Sequence, residues 1–257
     1  MLELCSIASG SKGNAYVVGA EGSYLLVDCG ISARRLSRAL GRMGVTLDSI
    51  EGILISHEHR DHVSGLENFR KKCPAPLYGT YGTLDSLSRP GPGPTHAIEA
   101  GREFAVGPFR VHPFSVQHDA EDPVGFRVEC GAGPVAFATD LGRVDGTVRR
   151  AIAGARALVI ESNHEEEMLR AGSYPWYLKE RILSDFGHLS NRATQAALAG
   201  SAHEGLEVVL LAHLSAENNR PEIALAGARR VLRANRWDGV KLLVAEQEAE
   251  GEVLVFR

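Results

Sequence analysis

A chain of 257 residues with 44% hydrophobic and 23% charged residues is long enough to bury a large core. Its formal net charge of −4 excludes a protein that holds nucleic acid by overall charge, so any such role must rest on a local patch. Four scattered cysteines (Cys5, Cys29, Cys73, Cys130) form no CxxC pair and predict free thiols in a reducing cytosol.

The opening MLELCSIASGSKGN lacks the basic and apolar regions of a signal peptide. No apolar run approaches the ~20 residues of a membrane span. The expectation is a soluble cytoplasmic protein with no membrane partner. Along the chain, strand-like runs are LELCSIA, YVVG, SYLLVD and GILIS, then FRVHPFSV, VGFRVEC, PVAFATD, ALVIES, EVVLLAH, VKLLVA and EVLVF. Helical spacing falls at 33–43, 63–72, 145–154, 165–171, 176–185, 192–203 and 220–235. Such an order predicts sheets covered by helices. RPGPGPT (89–95) reads as a surface loop, with no domain boundary beside it. SYLLVDCGISARRLSRAL and PVAFATDLGRVDGTVRRAI share an order of strand, Asp, Gly and Arg-paired helix, a weak sign of duplication.

The chemistry lies where strands end. GILIS runs into His57, FRVHPFSVQ into His118, PVAFAT into Asp140, ALVIES into Asn163 and His164, and EVVLLA into His213. Ligands of α/β sheets bind beyond the carboxyl ends of strands. In HEHRDH, His57 and His59 are two apart and face one side of an extended segment, while Asp61 and His62 follow in the next turn. With His118, Asp140 and His213 these make seven candidate ligands, more than the four of a closed zinc site. Two ions about 3.5–4 Å apart, with Asp140 shared between them, accommodate the set. Imidazole and carboxylate accept Mn, Zn or Fe alike. His96, His112 and His203 have no supporting partners and are read as bystanders in loop, strand and helix.

HEHRDH after a strand, with QHD, ATDLG and LAHLS downstream and LLVDCG upstream, resembles the metallo-β-lactamase superfamily. The resemblance implies a four-layer αβ/βα sandwich over 1–257: two mixed sheets face to face, helices outside, metals at one edge. Asp28 is then a structural support for the metal loop, and the internal echo is the family's two-fold repeat. ASGSKGN, DCGISARRL, ESNH, YPWYLKERI, GHLSN and HLSAENN resemble the YycJ/VicX (WalJ) branch. Glu165 departs from the Asp expected there. The branch implies a 5′-to-3′ DNA exonuclease, supported by manganese.

A phosphodiesterase also needs phosphate donors and an acid for the leaving oxygen. Two ions would acidify a water between them, giving the hydroxide that attacks phosphorus; Asp61 would orient it. His188 of GHLSN and His164 are rival proton donors. Ser190 reads equally as the N-cap of a helix or as part of a turn that, with Asn191, cradles phosphate. The branch adds Asn219 as a substrate contact. ASGSKGN is either a donor of backbone N–H groups to the site or a hairpin turn. Arg34, Arg38 and Arg42 form one helix stripe beside Arg35, and Arg70–Lys71–Lys72 another cluster; Arg34 and Arg38 are candidate DNA contacts, although a solvated face is the commoner origin of such stripes. Tyr174, Trp176 and Tyr177 could stack on bases or pack. The competing functions are hydrolysis of a small phosphodiester or thioester at the same site, and a metal-stabilised regulatory module without turnover. No protein partner is inferable.

Overall fold

The computed structural model describes residues 1–257. Strands β1 (Leu2–Ala8), β2 (Ala15–Ala20), β3 (Ser23–Val27), β4 (Ile50–Leu54), β5 (Leu77–Thr80) and β6 (Thr95–Ile98) form one sheet in that order. Strands β7 (Phe104–Val106), β8 (Phe109–Ser115), β9 (Val124–Cys130), β10 (Gly133–Ala138), β11 (Ala157–Glu161), β12 (Val208–Ala212) and β13 (Lys241–Val244) form the second. The last strand, β14 (Leu254–Phe256), returns to pair antiparallel with β1. Between them run helices α1 (Ala33–Arg42), α2 (Arg60–Val63), α3 (Leu66–Arg70), α4 (Tyr81–Ser86), α5 (Gly146–Ile152), α6 (Glu166–Ala171), α7 (Trp176–Leu183), α8 (Asn191–Ser201) and α9 (Pro221–Ala234).

Both sheets are mixed, and their patterns match. Pairing is antiparallel up to β3 and parallel from β3 to β6; in the other sheet it is antiparallel up to β10 and parallel from β10 to β13. The echoed segments are therefore the same piece of each half: the switch strand and the helix after it. Each switch strand is also followed within two residues by an aspartate in the left-handed backbone region, Asp28 at φ 61° and Asp140 at φ 56°. His213, after β12, shares it at φ 53°. Non-glycine residues held there store strain, typically at functional sites.

Apolar residues sort into three clusters that define four layers. The largest joins inward side chains of both sheets, including Tyr16, Val27, Phe126, Phe137 and Val159. A second lies between the first sheet and α1 and α3, a third between the second sheet and α5, α8 and α9. Alternating burial follows from the strands' two-residue period. The expected sandwich is thus the observed one. No helix is long and apolar enough to cross a membrane.

Several elements, helix α4 among them, differ from the sequence reading. β5, β6 and β7 are short, glycine-containing or exposed strands without a clear alternating pattern, and His96 stands on β6, not in a loop. The loop of RPGPGPT is tied down by Arg70, whose buried guanidinium donates to the carbonyls of Pro90, Gly91 and Pro94; Arg70 is therefore no part of a surface cluster. The helix expected at 63–72 is two short ones. It breaks at Gly65, where a Cβ would stand 1.8 Å from the Ile31 carbonyl oxygen.

Candidate metal centre

The segment after β4 carries His57, His59, Asp61 and His62 to the sheet edge; β8, β10 and β12 deliver His118, Asp140 and His213 to the same place. All seven expected ligands come together. They fall into two groups of mutually close ligand atoms, His57–His59–His118 and Asp61–His62–Asp140–His213. The ring centroids of His57 and His62, one from each group, are 4.0 Å apart.

What fixes these rings is a set of protein oxygens behind them. Asp28 accepts from Nδ1 of His62 at 2.8 Å and from the Ser56 hydroxyl, whose oxygen lies 3.0 Å from Nδ1 of His57. Nδ1 of His118 donates to the Gly187 carbonyl at 3.1 Å, Nε2 of His59 to the Asp119 carbonyl at 3.2 Å, and Nδ1 of His213 to Glu161 at 2.8 Å. Each histidine thus spends one ring nitrogen on an outer oxygen and turns the other inward, as metal-ligating histidines do.

The inward atoms fit cations. Nε2 of His57 and Oδ2 of Asp140 are buried without a hydrogen bond. Nε2 of His118 and Nδ1 of His59 stand 3.3 Å apart, two lone pairs facing each other. Burial pushes the pKa values of His57 and His118 down, so these two rings are neutral and ready to ligate. In the other group burial opposes charge, but Asp140 and Asp28 hold His62 well up, and Asp140, Asp61 and Glu161 do the same for His213. Asp140 is held well below the usual carboxylate range by His213 and His62 against its burial. Anionic carboxylates around inward imidazoles demand positive charge, which protons or a divalent ion can provide.

The loop of ASGSKGN braces the metal loop. Asn14 donates its backbone N–H to the Asp61 carbonyl at 2.7 Å, and its amide reaches Nε2 of His62 at 3.0 Å and Oδ2 of Asp61 at 3.3 Å. Gly30 permits this packing, because a Cβ there would sit 1.6 Å from the Asp61 carbonyl oxygen.

The beta-lactamase superfamily domain model matches residues 23–214. The chain belongs to this superfamily. It is 36% identical over 235 residues to the exodeoxyribonuclease YycJ of Bacillus anthracis, covering 90% of this chain and 89% of that protein. It is 34% identical over 224 residues to the exodeoxyribonuclease WalJ of Streptococcus pneumoniae, covering 85% and 83%. Among solved structures, the metallo-β-lactamase fold protein YhfI of Bacillus subtilis matches with a TM-score of 0.75 at 17% identity, covering 98% of this chain and all of that one. Zinc-bound PqqB of Methylobacterium extorquens matches at 0.71 and 21%, covering 97% and 99%. These two share the fold. As a superfamily member whose metal-competent histidines and aspartates converge, the chain is a metal-dependent hydrolase.

Above the two groups opens a cleft of about 250 Å³ whose lining includes His59, Asp61, His118, Asp140, His188 and His213. His188 donates from Nδ1 to Glu161 at 2.8 Å. Sequence reasoning passed over Glu161, the first letter of ESNH. It is fully buried, accepts from His188 and His213 on Oε1, and accepts the backbone N–H groups of Leu141 and Leu189 on Oε2. Those imidazoles pull its pKa down to about 2 against burial. The available signal was a carboxylate ending the wholly buried strand β11, where an unpaired charge is untenable.

The other candidates lie elsewhere. His164 is buried outside the cleft lining, both ring nitrogens without partners, and burial pushes its pKa down to about 4. Ser190 caps α8 by accepting from the Ala193 N–H and donates to Glu166. Asn191 and Asn219 bond each other and Ser162 in a buried network that joins three loops; Asn191 also donates to Glu165. Arg34 and Arg38 are exposed on α1 and do not line the cleft, and Arg42 pairs with Glu250. His96 stacks on Tyr78, His112 lies by Glu103, and His203, just past α8, meets the Ala155 carbonyl; none joins a metal group. Tyr174 and Arg181 line the cleft.

Proposed function

We propose that the protein is an exodeoxyribonuclease that works through two divalent ions, manganese foremost, and removes nucleotides in the 5′-to-3′ direction. The observation that carries this reading is two adjoining inward-facing ligand groups beneath a cleft whose wall presents His188 backed by Glu161. DNA as substrate is supported by the likeness to the exodeoxyribonucleases YycJ and WalJ, matched over most of their lengths. Direction rests on the likeness to that branch. Four free cysteines support a reducing, cytoplasmic setting. The chain acts as one domain, 1–257.

His57, His59 and His118 would hold one ion, and Asp61, His62, Asp140 and His213 the other, with Asp140 shared. Bound ions supply Lewis acidity towards phosphoryl oxygens and towards an attacking water. The side chains do the rest. Asp61 has its polar contacts on Oδ2, which leaves Oδ1 to orient the attacking water from the cleft floor. His188 protonates the leaving oxygen from Nε2, because Glu161 occupies Nδ1 and holds the ring in place. We prefer it to His164, which is buried away from the cleft and held neutral. Ser190, Asn191 and Asn219 support the loops that carry Glu161, Asn163 and His188, without touching substrate. Arg34 and Arg38 take no part at the reacting bond.

A second reading, hydrolysis of a small phosphodiester or thioester, is favoured by a cleft with a single arginine, Arg181, and no lysine, in a chain of net charge −4. One experiment separates the two: 5′- and 3′-labelled single and double strands, with bis(p-nitrophenyl) phosphate in parallel, under manganese, magnesium and zinc. Mononucleotide release from 5′ ends, lost in Asp61→Ala and His62→Ala, is expected. Intact DNA beside rapid small-ester turnover favours the second reading, and full activity in folded variants overturns the site.

A further inference from the structure

Helix α7 walls the cleft through Leu178, Arg181 and Ile182, with Tyr174 just before it. Arg181 is the one lysine or arginine among the lining residues, which include Asp61, Asp119 and Asp140. Its guanidinium pairs with one oxygen of Asp119, whose other oxygen is 3.4 Å from Nε2 of His118. The cation is therefore held beside the His57–His59–His118 group rather than over it. Residues four apart on a helix are neighbours, so Tyr177 shares a flank with Arg181. Its ring is 74% exposed and stacks on no other ring. Trp176 is 62% exposed but stands about 160° around the helix from Leu178, away from the cleft. The helix is anchored by Lys179, which donates to the carbonyls of Arg170 and Gly172 at 2.7 Å.

We propose that Arg181 and Tyr177 form a nucleotide subsite for the residue adjoining the scissile bond, an inference that rests on the nuclease reading. Arg181 takes that nucleotide's phosphate, sharing it with or exchanging it for Asp119, and Tyr177 stacks on its base. A planar fork that meets Asp119 through Nε alone keeps its terminal N–H groups for two phosphate oxygens. A stacked base is an unpaired one, so the strand enters single or frayed at its end.

The test uses metal-loaded protein, a single-stranded oligonucleotide and bis(p-nitrophenyl) phosphate, which has no neighbouring nucleotide. Arg181→Ala and Tyr177→Ala should each raise KM for the oligonucleotide at least about fivefold, with kcat and small-ester turnover within about twofold. Arg181→Ala should also flatten the salt dependence of log KM by about 0.7, a change that loss of the Asp119 pair alone would not produce. Arg181→Lys should keep the salt slope while losing part of the affinity, and it carries the test if the alanine variant does not fold. Trp176→Ala should match wild type. Unchanged KM in the Arg181 and Tyr177 variants overturns the subsite. So does an equal loss on the small ester, which would put Arg181 on the scissile phosphate. Wild-type protein that turns over the small ester and leaves DNA intact instead overturns the nuclease reading, and the subsite with it.

Discussion

Replacing Glu161 by Gln is the sharpest perturbation of the centre, because it removes a charge and a proton acceptor while keeping the shape. In the native arrangement Oε1 accepts from Nδ1 of His188 and of His213, each at 2.8 Å, and Oε2 accepts from Leu141 and Leu189 at 3.1 and 3.0 Å. Gln has a single oxygen. If it keeps the two backbone N–H groups, its NH₂ faces two ring nitrogens that already carry protons. Either both imidazoles change tautomer, placing the proton on the inward nitrogen, or two donors are left unpaired in a buried site. Hydrogen bonds to a charged group contribute about 1.5–3 kcal/mol each. Losing two amounts to about 3–6 kcal/mol, or roughly 10²–10⁴ in kcat if the loss falls on the transition state. His213 is also a proposed ligand, so metal affinity should fall about 10–100-fold. Initial rates on labelled DNA at saturating metal, with metal titrations alongside, read both effects. A folded Gln variant with kcat and metal affinity within about threefold of wild type would refute the claim that Glu161 positions His188 and His213.

Metal binding should release protons, since His62 and His213 are held protonated by Asp140 and neighbouring carboxylates and must give their inward protons up to ligate. Calorimetry in buffers of different ionisation enthalpy should show this, and affinity should rise with pH; a buffer-independent enthalpy would contradict it. His164 has a folded pKa pushed down to about 4 from an ordinary value of 6.5, so its neutral form contributes stability that is complete above pH 6.5 and is lost as pH falls towards 4. The loss is about 3 kcal/mol. Urea midpoints of a His164→Phe variant should therefore fall less between pH 6.5 and 4 than those of wild type, and parallel curves would refute this. Gly30→Ala drives a Cβ into the Asp61 backbone, with 1.6 Å to its carbonyl oxygen, and should cost about 3 kcal/mol or more together with metal binding. A variant with wild-type stability and metal content would show that the two loops are not locked together.

Much of this protein was legible in the chain because metal loops follow strands. A ligand placed one to three residues beyond an apolar run lands at the sheet edge whatever the rest of the fold does. His57, His118, Asp140 and His213 were therefore readable from strand ends, and His57 with His59 from the two-residue period of extended backbone. The duplicated order around Asp28 and Asp140 also lies in local sequence, and the topology gives it meaning as the switch strand of each half. Tertiary structure alone decided the roles that depend on distant partners. Glu161 meets His188 and His213, 27 and 52 residues further on, so no local spacing reveals it. Ser190, Asn191 and Asn219 look like phosphate donors in sequence, but their polar atoms are used by neighbouring loops. Arg34 and Arg38 make a visible stripe on an exposed helix, whereas Arg181, a single arginine in YLKERI, faces the cleft. A hydrogen bond or a cavity wall is made by two segments at once, and sequence order records only one of them at a time.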